Sequence, residues 1–235
     1  MPISRRRLFL VFGAVLVVLA AVNVADKYGP RHTGLVAGPL VALALVLLAR
    51  HAGLSWHDLG LSRRTLLPGL KYAVGAVLAV AVIYGIGIAL PLTRPAFHDV
   101  RYHLHLGAAL LTAFIIVPIG TVLLEEVAFR GVLLGLVRKH RGAAWASITS
   151  SVLFGMWHIL PSLRLGQANQ AVGTVLGASP IWPVLGAVAF TALAGLLLCE
   201  LRRRSGSLLA AAALHWATNG LGLLLAAALT ATRLA

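Results

Sequence analysis

Residues 121–135 read TVLLEEVAFRGVLLG, in which Glu125, Glu126 and Arg130 interrupt an apolar run that extends from about Gly107 to Val137. Within a membrane helix each such charge costs roughly 2.5–3.5 kcal/mol even on lenient insertion scales, so three together mark a functional site by default. Neighbouring residues of a helix lie about 100° apart and residues four apart share a face. Glu126 can therefore pair with Arg130, while Glu125 points away from the guanidinium and is free to accept a proton. That makes Glu125 the better candidate general base. The bland alternative is an ion-paired helix junction with no chemistry.

Composition sets the surroundings of this stretch. The 235 residues are 60% hydrophobic and 11% charged, with a mean hydropathy of +0.93, too little polar surface to coat a soluble globule of that size. Runs of about 20 apolar residues recur along the whole length. The fold class is an all-α, polytopic membrane helical bundle with the lipid bilayer as its solvent. Lys and Arg number 20 against 6 Asp and Glu, giving +14. In a soluble chain that excess points to nucleic acid; here the charges flank apolar spans, where they set topology and meet anionic headgroups, and no nucleic-acid partner is expected. The lone Cys199 excludes an intrachain disulfide.

Working outward, SRRRLFL (Ser4–Leu10) followed by apolar residues to Ala25 resembles a signal peptide, but the apolar region is too long and Asn23 and Ala25 make a poor cleavage site. An uncleaved first helix with its amino end in the cytoplasm is expected. A polar turn, Asp26–His32, leads to a second span over about 34–49. Residues 50–71 mix aromatic, aliphatic and basic side chains and read as an interfacial amphipathic segment. The third span covers about 72–90, and an outer loop holds His98, His103 and His105, read as solvated residues. The fourth covers about 106–137, with Pro118 placed to kink it and Gly131 and Gly135 forming a close-packing pair. Spans follow at about 143–160, 181–201 and 208–230, with Ala171–Leu176 expected to be re-entrant or partly helical. With no internal repeat, an inverted-repeat transporter is not favoured. Placing the amino end inside puts 13 of the 20 basic residues on the cytoplasmic side and six outside (Lys27, Arg31, Arg94, Arg101, Arg164 and Arg233), which favours seven spans.

Helix rise then sets depth. At about 1.5 Å per residue from the cytoplasmic side, Glu125 and Glu126 lie roughly 18–20 Å deep, His158 roughly 24 Å, His215 roughly 12 Å and Asn219 roughly 18 Å. Residues from three separate helices can converge on one polar chamber, supplying a base, water-orienting groups and donors for a developing oxyanion. A Gly-x-Ser-x-Gly elbow and an HExxH helix are both absent, and Cys199 has no nearby histidine in sequence. A glutamate with two histidines is also a known zinc set, so the sequence permits a metal held by Glu125, His158 and His215 without requiring one.

EEVAFR (Glu125–Arg130), FGMWH (Phe154–His158) and HWATN (His215–Asn219) stand in that order on three helices. They resemble the EExxxR, FxxxH and HxxxN motifs of the CAAX protease and bacteriocin-processing family, also called CPBP or Abi, whose eukaryotic relatives are the prenyl-protein CAAX endopeptidases. The resemblance covers roughly residues 106–225. It implies an intramembrane endopeptidase in which Glu125 activates water with help from His158, His215 and Asn219 stabilise the oxyanion, and Glu126, Arg130 and Phe154 support the site. It implies no required cofactor, with Zn2+ as the alternative, and a peptide or membrane-protein substrate cut near the cytoplasmic half of the bilayer. Residues 1–105 are then amino-terminal helices and 106–235 the catalytic core of one membrane domain. The Ala-, Leu- and Arg-rich composition with short loops fits a multi-pass protein of a bacterial inner membrane. Two other readings of the same residues are a catalytically silent immunity or interaction protein and a proton-coupled transporter.

Overall fold

The computed structural model describes residues 5–30, 33–176, 179 and 181–234. Arg31 and His32 of the expected polar turn, and the side chains of Arg5 and Arg233 used in the charge count, lie outside the described residues. Six runs are helical, long and apolar enough to cross a membrane. One of them, Leu106–Trp157, has 52 residues and would be about 78 Å long if straight, more than twice the bilayer core. Gly142, at φ 81° and ψ 177°, breaks it into two legs, so the bundle has the expected seven. We label them α1 (Arg5–Tyr28), α2 (Thr33–His51), α3 (Leu66–Ala89), α4 (residues 106–141), α5 (residues 143–157), α6 (Ile181–Ser205) and α7 (residues 208–234).

The protein is an all-α polytopic bundle, with no strand among the described residues beyond an isolated bridge between Asp99 and Asn169. Apolar side chains cover its outside, among them Val17, Leu78, Phe190 and Leu193. That surface would aggregate in water but is the ordinary face of a protein dissolved in lipid. Val15, Leu45, Phe129, Val132 and Leu136 lie at the core of the packing, where α1, α2 and α4 meet.

Residues 50–71, expected to form an interfacial amphipathic segment, are not one continuous helix. Their first two residues end α2, 66–71 begin α3, and 52–62 form a tight series of turns. Leu54 and Leu59 are buried beneath these turns and point into the bundle, while Trp56, Leu61, Leu66, Leu67 and Leu70 stay exposed. Polar groups tie the turns down. Asp58 pairs with Arg138 at 3.3 Å and Lys139 at 3.1 Å. The Arg202 guanidinium donates to the carbonyls of His57 and Asp58, both at 3.0 Å, and Leu208 N–H to that of Gly60 at 2.9 Å. Gly131 and Gly135 pack on this segment rather than on another helix: a Cβ on Gly135 would meet Leu54, and one on Gly131 the Leu59 carbonyl. Arg7 donates to the His51 carbonyl. Arg7, Arg50, Arg138, Lys139 and Arg202 thus gather at one end of the bundle.

Candidate active site

The distinguishing local feature of α4 is its winding. Pro118–Val122 and Val127–Leu133 are π-helical, flanking a single α-turn, Leu123–Glu126. Pro118 has no N–H to donate, and the π-helical winding begins at this residue, where the proline was expected to disturb the helix. π-Turns in α-helices are frequent at functional sites because they displace backbone bonds and re-aim side chains. Here the Ser150 hydroxyl of α5 donates to the Phe129 carbonyl at 2.7 Å.

Glu126 and Arg130 form the expected pair, Nη1 to Oε1 at 3.0 Å, with Arg130 fully buried. The same Glu126 oxygen lies 2.8 Å from Nδ1 of His215, at the end of the α-helical part of α7. Glu125 points elsewhere, as the helical spacing predicts: its Oε1 accepts from Trp157 Nε1–H at 3.0 Å. Its Oε2 is buried without a hydrogen-bond partner, 3.8 Å from His215 Nε2. Phe154 is the hub of the cluster. Its ring lies 3.8 Å from the Arg130 guanidinium carbon and meets the rings of His158 and His215 edge-on.

His158 caps the end of α5, with Nδ1 2.8 Å from the Phe154 carbonyl. A carbonyl only accepts, so Nδ1 carries the proton and Nε2 keeps its lone pair. Asn219 sits in a π-helical turn of α7, Ala217–Leu221, one turn beyond His215, with its amide exposed. The structure therefore brings Glu125, Glu126, Arg130, Phe154, His158 and His215 together and leaves Asn219 at the rim.

Two cavities meet at His158 and Asn219. One, of about 740 Å³, is a chamber with Glu125, Asn23, Asp26 and Arg101 in an otherwise largely apolar wall. The other, of about 510 Å³, is an apolar groove walled by Phe190, Leu197, Leu214 and Tyr84, with His215 beside it. The chamber reaches Glu125 from the end of the bundle opposite Arg7, Arg50, Arg138, Lys139 and Arg202. Among the described residues no three His, Cys, Asp or Glu side chains stand close enough together to hold one metal ion. The alternative zinc set Glu125, His158 and His215 is not preassembled.

Some participants escaped the sequence reading. Trp157 lies inside FGMWH, adjacent to His158, and its indole N–H was the available signal. Asn23, read only as part of a poor cleavage site, donates to the Trp157 carbonyl at 2.7 Å and so fixes the end of α5 from α1. Among the outer-loop histidines, His105 caps α4, Nδ1 accepting from Ala108 N–H at 3.3 Å.

Fold and site together define a multi-pass membrane protein with a buried carboxylate–histidine centre. Residues 106–221, which contain all three motifs, match the family described as type II CAAX prenyl endopeptidase Rce1-like. The chain belongs to this family of CAAX-type intramembrane proteases. No curated protein and no solved structure matches the chain.

Proposed function

We propose that the protein is an intramembrane endopeptidase in which Glu125 activates the hydrolytic water. The observation that carries this reading is Glu125 Oε2: buried, unpartnered among protein groups, and beside a chamber that also exposes His158. A buried carboxylate oxygen without a partner is costly. A water held between it and the His158 Nε2 lone pair satisfies both, and separations beyond direct reach are where such waters sit.

In this mechanism Glu125 takes a proton from the water as its oxygen attacks the peptide carbonyl carbon. The oxygen that becomes negative is met by the Asn219 amide and by His215, whose ring Glu126 holds through Nδ1. Glu125 then gives its proton to the departing amine nitrogen, the C–N bond breaks, and a carboxylic acid and an amine remain. Glu126, Arg130 and Phe154 hold His215 in place. Trp157 fixes Glu125 so that Oε2 faces the water. The apolar groove receives the hydrophobic side chains of the substrate beside the scissile bond.

The test is cleavage of quenched peptides by the protein purified in detergent. Glu125→Gln keeps the shape but not the base, and should lower the rate by about 10²–10⁴-fold; His158→Ala should also abolish turnover, with expression and folding intact. Cleavage by Glu125→Gln at the parental rate would show that the base is elsewhere. Chelation with elemental analysis tests the zinc alternative: loss of activity together with loss of a stoichiometric ion would replace this mechanism with a metal-dependent one.

A further inference from the structure

We infer that Tyr84 of α3 is a positioning residue for Asn219: its hydroxyl holds the turn of α7 from which that amide is aimed. This rests on the peptidase reading above and adds to its machinery a helix that lies outside the matched residues 106–221.

The winding of α7 creates the need for a holder. In a regular α-helix the N–H of Gly222 would serve the Thr218 carbonyl. Here the turn Ala217–Leu221 is π-helical, and that N–H goes to the Asn219 carbonyl instead. The Thr218 carbonyl loses its α-helical donor and accepts from the Tyr84 hydroxyl at 3.0 Å. A carbonyl only accepts, so the phenol is the donor. The first π-helical turn of α4 behaves alike: Val117 N–H bonds to the Thr112 carbonyl, and the Ala113 carbonyl accepts from the Trp216 indole at 2.8 Å. In this bundle a carbonyl displaced from the α-helical ladder is caught by a side chain of another helix, and at Thr218 the catching group is Tyr84.

What that capture fixes is the residue that follows. The Thr218 carbonyl belongs to the planar peptide unit that ends at the Asn219 Cα, so holding the oxygen sets the plane from which Asn219 projects. Among the described residues no group hydrogen-bonds the Asn219 amide itself, and its aim is left to the backbone beneath it. The same turn is tied to His215, whose carbonyl accepts from the Thr218 hydroxyl at 2.8 Å. Packing keeps the phenol in place. A Cβ on Gly222 would touch the Tyr84 ring at 3.4 Å, and the ring meets that of Phe97 edge-on with centroids 5.3 Å apart. Towards the start of α3, a Cβ on Gly69 would run into Ser207. The two helices therefore run side by side in the same direction, with Tyr84 level with the π-helical turn.

Tyr84→Phe deletes the hydroxyl and keeps the ring against Gly222 and Phe97. With quenched peptides in detergent, its kcat should fall about tenfold, the loss expected of one hydrogen bond, with KM changed less than about twofold. In an Asn219→Ala background the same substitution should lower kcat less than about twofold, because the amide it positions is gone. A role confined to general packing gives the same loss in both backgrounds. Equal losses, or a Tyr84→Phe kcat equal to that of the parent, overturn the proposal. A second arm reads the turn without catalysis: amide deuterium exchange over residues 217–222 should be at least about fivefold faster in Tyr84→Phe than in the parent, with residues 208–214 unaltered. Unaltered exchange at 217–222 overturns the claim that the hydroxyl holds the turn, whatever the kinetics. If the parent cleaves no peptide, the peptidase reading fails, and the exchange arm alone decides whether Tyr84 holds the turn.

Discussion

Nδ1 of His215 lies 2.8 Å from Oε1 of Glu126, the same oxygen that Arg130 Nη1 reaches at 3.0 Å. One carboxylate oxygen therefore orients the histidine and neutralises the guanidinium, and neither partner can be removed alone without leaving the other exposed to a low-dielectric interior.

That sharing separates stability from turnover. Arg130→Met strands a buried carboxylate and should cost about 3–5 kcal/mol, the usual penalty for breaking a buried pair from one side. The double variant Arg130→Met with Glu126→Gln removes both charges and should recover part of that loss in denaturant or thermal unfolding in detergent. Glu126→Gln alone strands the buried Arg130 guanidinium at a similar cost, and in the protein that folds kcat should fall about a hundredfold, since His215 exchanges a charged acceptor for a neutral one. A double variant no more stable than Arg130→Met would mean that the pair is not the source of the cost.

Trp157 makes a second, independent prediction. Its indole N–H is the donor to Glu125 Oε1, while its ring packs 6.0 Å from that of Phe129. Trp157→Phe keeps an aromatic ring and deletes the donor. A hydrogen bond to a charged group is worth about 1.5–3 kcal/mol, so kcat should fall roughly ten- to a hundredfold with KM little changed. Unaltered kcat would show that Glu125 is positioned without the indole.

The sequence made the polar centre legible because charge inside an apolar helix has few explanations, and because helical spacing alone separates Glu125 from the Glu126–Arg130 pair. The count of seven spans was legible from apolar runs of bilayer length. The π-helical winding of α4 and α7 was not, since it depends on how carbonyls such as that of Phe129 find partners on neighbouring helices. The burial of Leu54 and Leu59 was hidden for a related reason: a short segment of mixed polarity looks the same whether its apolar side meets lipid or the bundle. Asn23 and Asp26 were passed over because their importance lies in what they face, Trp157 and the chamber, more than a hundred residues away in the chain.

The turns at residues 52–62 carry a pH dependence. Partial burial pushes the Asp58 carboxyl up, but hydrogen bonds from Ser55 N–H and hydroxyl and from Lys139 outweigh it and hold the group at about 2. An unfolded aspartate titrates near 3.9. The folded value is the lower one, so the group stabilises the fold fully above the unfolded value and loses that contribution as pH falls through about 2. Asp58→Asn should thus lower Tm by a constant amount between about pH 6 and 8, and the gap should narrow below about pH 4. A gap that stays constant across a detergent Tm series down to about pH 2.5 would place the stabilisation in some other contact.

Two glycines with left-handed backbones test how tightly these turns are seated. Gly60 (φ 75°) and Gly142 (φ 81°) both have positive φ, which side chains disfavour, at about 1–3 kcal/mol for a residue with a Cβ. Their surroundings differ. A Cβ on Gly142 meets nothing within 4 Å, whereas one on Gly60 runs into the Arg202 guanidinium, which is buried and bonded to the carbonyls of His57 and Asp58. Gly142→Ala should therefore cost only the backbone term, lowering Tm by a few degrees. Gly60→Ala must in addition displace Arg202 and break two hydrogen bonds to its guanidinium, so its loss should exceed that of Gly142→Ala by about 1–3 kcal/mol. Equal losses at the two positions would show that Arg202 moves aside freely and does not anchor the turns to α6.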